Sequence, residues 1–379
     1  MKVTVSVHGR YHGFELADGL HRRGLLDRLL TTYPAFAARR FVDPGVPLVT
    51  APWLEARRRI YDALAIGRKP DTMIARAFAR FAKRSLRPNV DILVGWSSAT
   101  LEAMPAAKEL GMKVVIERGS THIAHQTATL AEEYGFFGVP FDATEPEMIE
   151  REEAEYAAAD AICVPSDFAA GTFIRHGVHK DRLIVNRLGV NIDRFTAPAE
   201  RPAGRMPRIL FVGAVGLRKG VPRLLQAFSR IKERAELRII GPVEPGMGQL
   251  LSRLPLKGVV LRGPVQGGAL PAEYEAADIF CLPSIEEGFG MVIPQAMASG
   301  LPIVTTKVCG AADLVRTGET GLVVPPSDES ALLEALGSLL SDPKRRHRMG
   351  EAGQADVNTG CDWGRYVERA VRAYEALVC

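Results

Sequence analysis

Val3, Val5 and Val7 alternate with small polar residues in the opening "VTVSV", and the run stops at Gly9, a period of two that predicts a first β-strand. Short apolar runs bounded by Gly, Pro or Ser then recur between amphipathic stretches. "DILVGW", "KVVIE", "AICVP" and "RLIVN" lie in the first half of the chain, and "RILFVG", "LRIIG", "VVLRG", "IFCLP" and "PIVTT" in the second. Between them the period becomes helical. Leu224, Leu225, Phe228 and Ile231 share one face of "GVPRLLQAFSRIKERA", as do Leu332, Leu336 and Leu339 in "SALLEALGSLL". Trp363, Tyr366, Val367, Ala370 and Tyr374 form the stripe of a closing helix, where packing is the expected role of the aromatics. Strands alternating with helices predict parallel sheets covered by helices.

A chain of 379 residues exceeds what one hydrophobic core organises. "TAPAERPAGRMP", residues 196–207, carries three prolines and no apolar period, and a fresh strand follows it at once. The expected organisation is α/β, with two doubly wound Rossmann-like domains over residues 1–195 and 208–360, a linker over 196–207 and a closing helix over 361–379. Such sheets bind ligands beyond the carboxyl ends of their strands, so function is expected in the cleft between the two domains.

Nearly half the residues are apolar and a quarter charged, a folded composition. The net charge of +4 permits an anionic partner without demanding one, and no nucleic-acid partner is expected. The opening lacks the continuous apolar run of a signal peptide, and no stretch reaches the roughly 20 apolar residues of a membrane span. A cytoplasmic protein is the expectation. Cys163, Cys281, Cys309, Cys361 and Cys379 are scattered without metal-ligand spacing and read as buried thiols of a reducing compartment. Residues 55–88 hold ten Lys or Arg against three acidic residues, with Ile60, Leu64, Ile74, Phe78 and Phe81 interleaved. This is either a basic amphipathic surface for the anionic inner face of a membrane, or helices with solvated outer faces and a buried apolar stripe.

Two stretches carry candidate chemistry. In "SIEEGFGMVIPQAMASG", Gly288 and Gly290 allow a tight turn after a strand. Pro294 would cost about 3 kcal/mol in a helix interior but is tolerated in the first turn, so the helix must start near Gly290 or Met291. Its free N–H groups would face the cleft, a ready phosphate site, with Glu287 in the loop before it and Gln295 one turn inside. In "FVGAVGLRKGVPRLL", Gly213 and Gly216 open a strand-end loop that presents Arg218 and Lys219 before Gly220 and another helix. Two fixed cations beside helix N–H donors suit a diphosphate; the alternative is a solvated Arg-Lys pair.

These two stretches, with "TGLVVPPSDESALLEAL", "EYAAADAICVPSDF" and "IVNRLGVNIDRF", resemble the retaining glycosyltransferases of family 4, from about residue 148 to the end and more loosely before it. The resemblance implies a GT-B fold, with the closing helix returning to the first domain. The family's two glutamates separated by seven residues fall on Glu287 and Gln295, which implies that Glu287 contacts the donor sugar and Gln295 the ribose. Arg218 and Lys219 match the pair that holds the diphosphate, near the strand glycine Gly213. Phe289, Gly290 and Met291 would lie against the donor, and Gly263 to Val265 near the base. Two positions depart from the family: Gln295 replaces its second glutamate and Ala214 an arginine, which implies altered nucleotide binding.

In the first domain, His8, Gly9, His12 and Gly13 lie in the first strand-to-helix loop, near donor phosphates and acceptor in relatives. His8 and His12 read as loop-shaping or acceptor-side residues. Arg118 holds the position where many relatives place a histidine, and His122, four residues on, is the candidate for the sugar contact; the alternative is a loop histidine with a structural hydrogen bond.

The resemblance therefore implies a hexosyltransferase of class EC 2.4. It would move a sugar from a UDP- or GDP-sugar to a hydroxyl of a glycan, lipid-linked saccharide or small glycoside with retention of configuration, Glu287 and His122 being the catalytic candidates. The nucleotide sugar would be a co-substrate. No Asp-x-Asp pair ends a strand, so neither metal nor other cofactor is expected. The rivals are an epimerase or hydrolase acting on the nucleotide sugar itself, and a non-catalytic nucleotide-sugar sensor.

Overall fold

A computed structural model describes all residues except 65–70, 199–203, 267 and 359. The N-terminal half holds a seven-stranded sheet made of β1 (Val3–Val7), β2 (Leu26–Thr31), β3 (Leu48–Thr50), β4 (Ile92–Trp96), β5 (Lys113–Glu117), β6 (Ala161–Val164) and β7 (Leu183–Val185). The C-terminal half holds a six-stranded sheet of β8 (Arg208–Val212), β9 (Glu236–Ile240), β10 (Val259–Gly263), β11 (Ile279–Leu282), β12 (Ile303–Thr306) and β13 (Gly321–Val324). Their spatial orders are β3-β2-β1-β4-β5-β6-β7 and β10-β9-β8-β11-β12-β13, with all pairings parallel.

Each sheet reverses its order of winding beside its first strand, between β1 and β4 in one and between β8 and β11 in the other. The connections on either side of such a point leave in opposite directions and open a crevice at the strand ends. This places the loops after β1, β4, β8 and β11 at the centre of the molecule.

Every strand expected from the apolar runs is present, and β2, β3 and β13 are added to them. In β2 the apolar run is broken by Asp27 and Arg28, which satisfy each other at 2.8 Å while Thr4 Oγ1 donates to Asp27 at 2.9 Å. The helix Val221–Ser229 stops short of its periodic stretch, yet Ile231 in the following turn stays buried. Helix Glu329–Ser341 buries Leu332, Leu336 and Leu339.

The closing helix Trp363–Val378 crosses back onto the N-terminal half and lies on helix Gly13–Arg22. Contact is close enough that a Cβ on Gly19 would stand 2.4 Å from Val367 Cγ2. Tyr366, Val367, Ala370 and Tyr374 are buried there, and the Tyr366 and Tyr374 hydroxyls donate to Glu117 Oε1 at 3.4 and 3.5 Å. A buried carboxylate needs such donors, so the aromatics serve polar satisfaction as well as packing.

The basic stretch forms helices Pro52–Leu64 and Asp71–Ser85, with the Leu64 side chain and residues 65–70 outside the described residues. Ile74 and Phe78 face the core and Phe81 is half-buried, while Arg76, Arg80, Lys83 and Arg84 are exposed on the outer face of the second helix. Ile60 and Trp53 are exposed. Cys163, Cys281, Cys309 and Cys361 are buried free thiols, whereas Cys379 is exposed. Among the described residues no helix is long and apolar enough to cross a membrane.

Candidate functional site

The strand-end loops of both halves meet around one cavity of about 710 Å³. Arg218, Glu287, Phe289, Gly290 and Met291 form its wall on the C-terminal half; His8, Tyr11, His12, Ser97, Arg118 and Gly119 belong to the facing wall.

The loop after β8 is locked onto the loop after β11. Gly220 has φ +69° and sits so close that a Cβ would come 1.9 Å from the Pro283 carbonyl oxygen, while Ile285 N–H donates to Arg218 O at 2.9 Å. This contact delivers both cations to one carboxylate. Arg218 Nη1 lies 3.2 Å from Glu287 Oε2, and Lys219 Nζ is paired with the same oxygen. Gly213, at the end of β8, faces the Lys219 stem, which a Cβ would meet at 3.8 Å. Burial disfavours the charge on Arg218, but Glu287 and Glu286 outweigh it and raise its pKa. Gly290 (φ +89°) then turns the chain into helix Val292–Ala298, whose cap is Met291 and whose third residue is Pro294, as the proline required.

Lys219, Gly213, Gln295, Gly263 and Val265 do not line this cavity. Gln295 accepts a hydrogen bond from the Tyr274 hydroxyl at 3.1 Å. Gly263 and Val265 lie at the end of β10, an edge strand two places from β8, which removes them from the winding reversal.

Gly9 and Gly13 shape the facing wall without lining the cavity: Gly13 admits the close approach of Trp96, whose Cη2 would stand 2.9 Å from a Cβ there. Gly9 (φ +124°) turns the chain, and its carbonyl accepts from Thr31 Oγ1 at 2.8 Å. His12 Nε2 lies 3.2 Å from Glu117 Oε2, its ring against Trp96 and Tyr366. Burial first, then Arg151 and Arg58, push the His8 pKa down to about 4, and its Nδ1 is buried without a hydrogen-bond partner among the described residues. Arg118 donates to Glu152 at 2.9 Å, to Gln126 Oε1 at 3.0 Å and to the Thr121 carbonyl at 3.1 Å.

His122 departs from its expected place at the sugar. Its backbone caps helix Ile123–Phe136 and its ring turns inward, with Nδ1 accepting from Ala124 N–H at 3.3 Å. It stacks on His176 at 4.2 Å beside Phe173 and Tyr156, is 3% exposed, and lines no part of the cavity. Of the two roles open to it, the geometry matches the loop histidine with a structural hydrogen bond.

Several cavity residues escape a reading of the sequence. Tyr11, Glu15, Trp96, Glu152 and Trp363 line it without a motif to mark them, and Gln126 and Glu152 reach it from helices after β5. Glu286 stood in plain view beside Glu287, but nothing local distinguishes its role. Among the described residues no three His, Cys, Asp or Glu side chains converge as a metal cage. The cavity thus opposes Arg218 and Glu287, with Lys219 paired to that carboxylate behind them, to a wall of imidazole, guanidinium and aromatic groups, suited to an anionic group on one side and a polyhydroxylated one on the other.

Residues 194–356 match the family model described as glycosyl transferases group 1. Over 365 residues the chain is 28% identical to a D-inositol 3-phosphate glycosyltransferase of Xylanimonas cellulosilytica, covering 90% of this chain and 85% of the relative. A protein of the same description from Streptomyces scabiei is 31% identical over 288 residues, 69% of this chain and 64% of its own. Among solved structures, Anabaena HepE in complex with UDP superposes with a TM-score of 0.70 at 16% identity, over 99% of this chain and 100% of that one. This last likeness concerns the fold: two parallel-sheet Rossmann-like halves of the GT-B type.

Proposed function

We propose, from the premise that the chain is a glycosyltransferase of group 1 type on the GT-B frame, that it moves a hexose-type unit from a nucleoside diphosphate sugar to a hydroxyl acceptor with retention of configuration. The observation that carries this reading is the Arg218–Glu287 pair, with Lys219 held on the same carboxylate behind it, facing the His8, His12 and Arg118 wall across one cavity. UDP in HepE and the inositol phosphate glycosyltransferase relatives support a nucleotide-sugar donor and a polyhydroxylated acceptor.

The proposed chemistry divides between the walls. Arg218 and Lys219 hold the diphosphate and stabilise the charge that develops on it as the bond from the anomeric carbon to its oxygen breaks. The departing oxygen takes the proton of the acceptor hydroxyl, whose oxygen bonds to the anomeric carbon on the same face. A diphosphate would share the two cations with Glu287, which is then placed beside the sugar to orient it and to favour positive charge at the anomeric carbon. With two cations at the diphosphate, no metal is required in this scheme.

Glu287→Ala and Lys219→Ala test the division. Glu287→Ala should lower turnover by about 100-fold or more while UDP or GDP binding, read by calorimetry, holds or tightens because a competitor for the cations is gone. Lys219→Ala should weaken that binding about tenfold. Turnover of the parent should persist in EDTA. Glu287→Ala with parental turnover would overturn the role of Glu287, and abolition by EDTA would overturn the metal-free scheme.

A further inference from the structure

Glu286 is buried with no exposed surface, one residue before Glu287. Its Oε1 accepts from Ser120 Oγ at 2.9 Å and Thr121 Oγ1 at 2.7 Å, and its Oε2 from Gln126 Nε2 at 2.9 Å. All three donors belong to the other half of the molecule, in the turn and helix after β5. On its own side, Arg218 Nη1 lies 3.7 Å from Oε2 and donates to the Glu286 carbonyl at 3.4 Å. Gln126 in turn accepts from Arg118. A chain of polar contacts therefore runs Arg218, Glu286, Gln126, Arg118, from the cation of one cavity wall to the cation of the other.

The backbone is shaped for this contact. A Cβ on Gly288 would fall 2.4 Å from both Gly119 O and Ser120 Cα, and Ser166 Oγ donates to Gly288 O at 2.7 Å. Burial alone would raise the Glu286 pKa; the hydrogen bonds of Thr121 and Gln126, with Arg218 and Ser120, hold it below the usual carboxylate value. A charged carboxylate with donors on its oxygens is a costly group to bury for packing alone, and it is stable only while the two halves stay in this register.

We propose that Glu286 is a positioning residue for sugar transfer: it ties the loop that carries Arg218 to the Ser120–Gln126 segment and so sets the two cavity walls at reacting distance. The proposal rests on the transferase reading above. Because the tie consists of a carboxylate meeting an amide, it can be reversed. Glu286→Gln leaves one acceptor oxygen for either the Ser120 and Thr121 hydroxyls or the Gln126 amide but not both, and Gln126→Glu sets two carboxylates together, whereas Glu286→Gln with Gln126→Glu restores one acceptor and one donor.

The experiment measures kcat and acceptor KM with a nucleotide sugar, UDP and GDP affinity by calorimetry, and the radius of gyration by small-angle scattering for the parent, both single variants and the double. Each single variant should lose about tenfold or more in kcat/KM, with nucleoside diphosphate affinity within about threefold of the parent, and the double should recover to within about threefold. Parental kcat/KM in Glu286→Gln, or a double variant no better than the poorer single, overturns the proposal, also where a single variant fails to fold. Scattering separates the two readings. If the parent transfers no sugar from any nucleotide donor, the transferase reading fails, while expansion in the singles and its reversal in the double still report the tie.

Discussion

His122 shows how far a residue's position in a motif can differ from its use. It follows a strand end by five residues, where a ligand contact is reasonable, yet its imidazole caps a helix and stacks on His176 inside the N-terminal half. Burial, then His176, Arg118 and His125, lower its pKa to about 4 from 6.5. Between these values the unfolded chain binds a proton that the folded chain refuses, so the stability present above pH 6.5 is lost as pH falls toward 4. Asparagine also caps helices but does not titrate. His122→Asn should therefore flatten the acid limb of the thermal midpoint, measured against its own value at pH 8, by about 2–4 °C. His8, half-buried in the cavity wall, keeps part of that limb. Turnover should stay within about twofold of the parent, and a loss of a hundredfold would return His122 to the site. The turn that carries Glu287 was legible where the orientation of His122 was not, because Gly288, Gly290 and Pro294 constrain that backbone within a few residues.

At the scale of elements, β-branched and apolar runs marked ten of the thirteen strands among the described residues, and β2 was obscured because Asp27 and Arg28 neutralise each other inside it. The helix start at Met291 was legible from a single proline. Which helix faces which was not. Gly19 sits within a helix, where alanine ordinarily gains about 1 kcal/mol. Here all three Cβ contacts, at 2.4, 2.9 and 3.0 Å, are to Val367, a β-branched side chain that rotation cannot withdraw. Overpacking of this kind costs about 1–3 kcal/mol, so it should outweigh the propensity gain. Gly19→Ala is expected to lower the thermal midpoint by a few degrees, whereas Gly135→Ala, in helix Ile123–Phe136 with nothing within 4 Å, should hold or raise it. Equal effects from the two would show that the closing helix does not constrain Gly19.

Across the whole molecule the halves are joined by the returning helix, by Glu286 and by Arg223. Arg223, in helix Val221–Ser229, meets Glu133 of the other half through two bonds of 3.0 Å, adds Glu329 at 3.2 Å, and lies over Phe136 at 4.0 Å. Removing one partner of a buried pair costs about 3–5 kcal/mol, because the other charge stays behind. Arg223→Ala should thus lower the thermal midpoint by about 5 °C or more, and Arg223→Lys should restore only part of it, since an ammonium cannot form the paired geometry. Full rescue by lysine would reduce Arg223 to a point charge. The alternation of strands and helices, the proline-rich break, the cation pair and the glycine-bounded glutamate were readable along the chain because each depends on neighbours a few residues away. The inward turn of His122, the tie through Glu286, the Arg223 pair and the cavity wall built by Trp96, Glu152 and Trp363 depend on contacts between residues tens to hundreds of positions apart. Parallel winding of two sheets alone brings those residues together, and no local pattern encodes it.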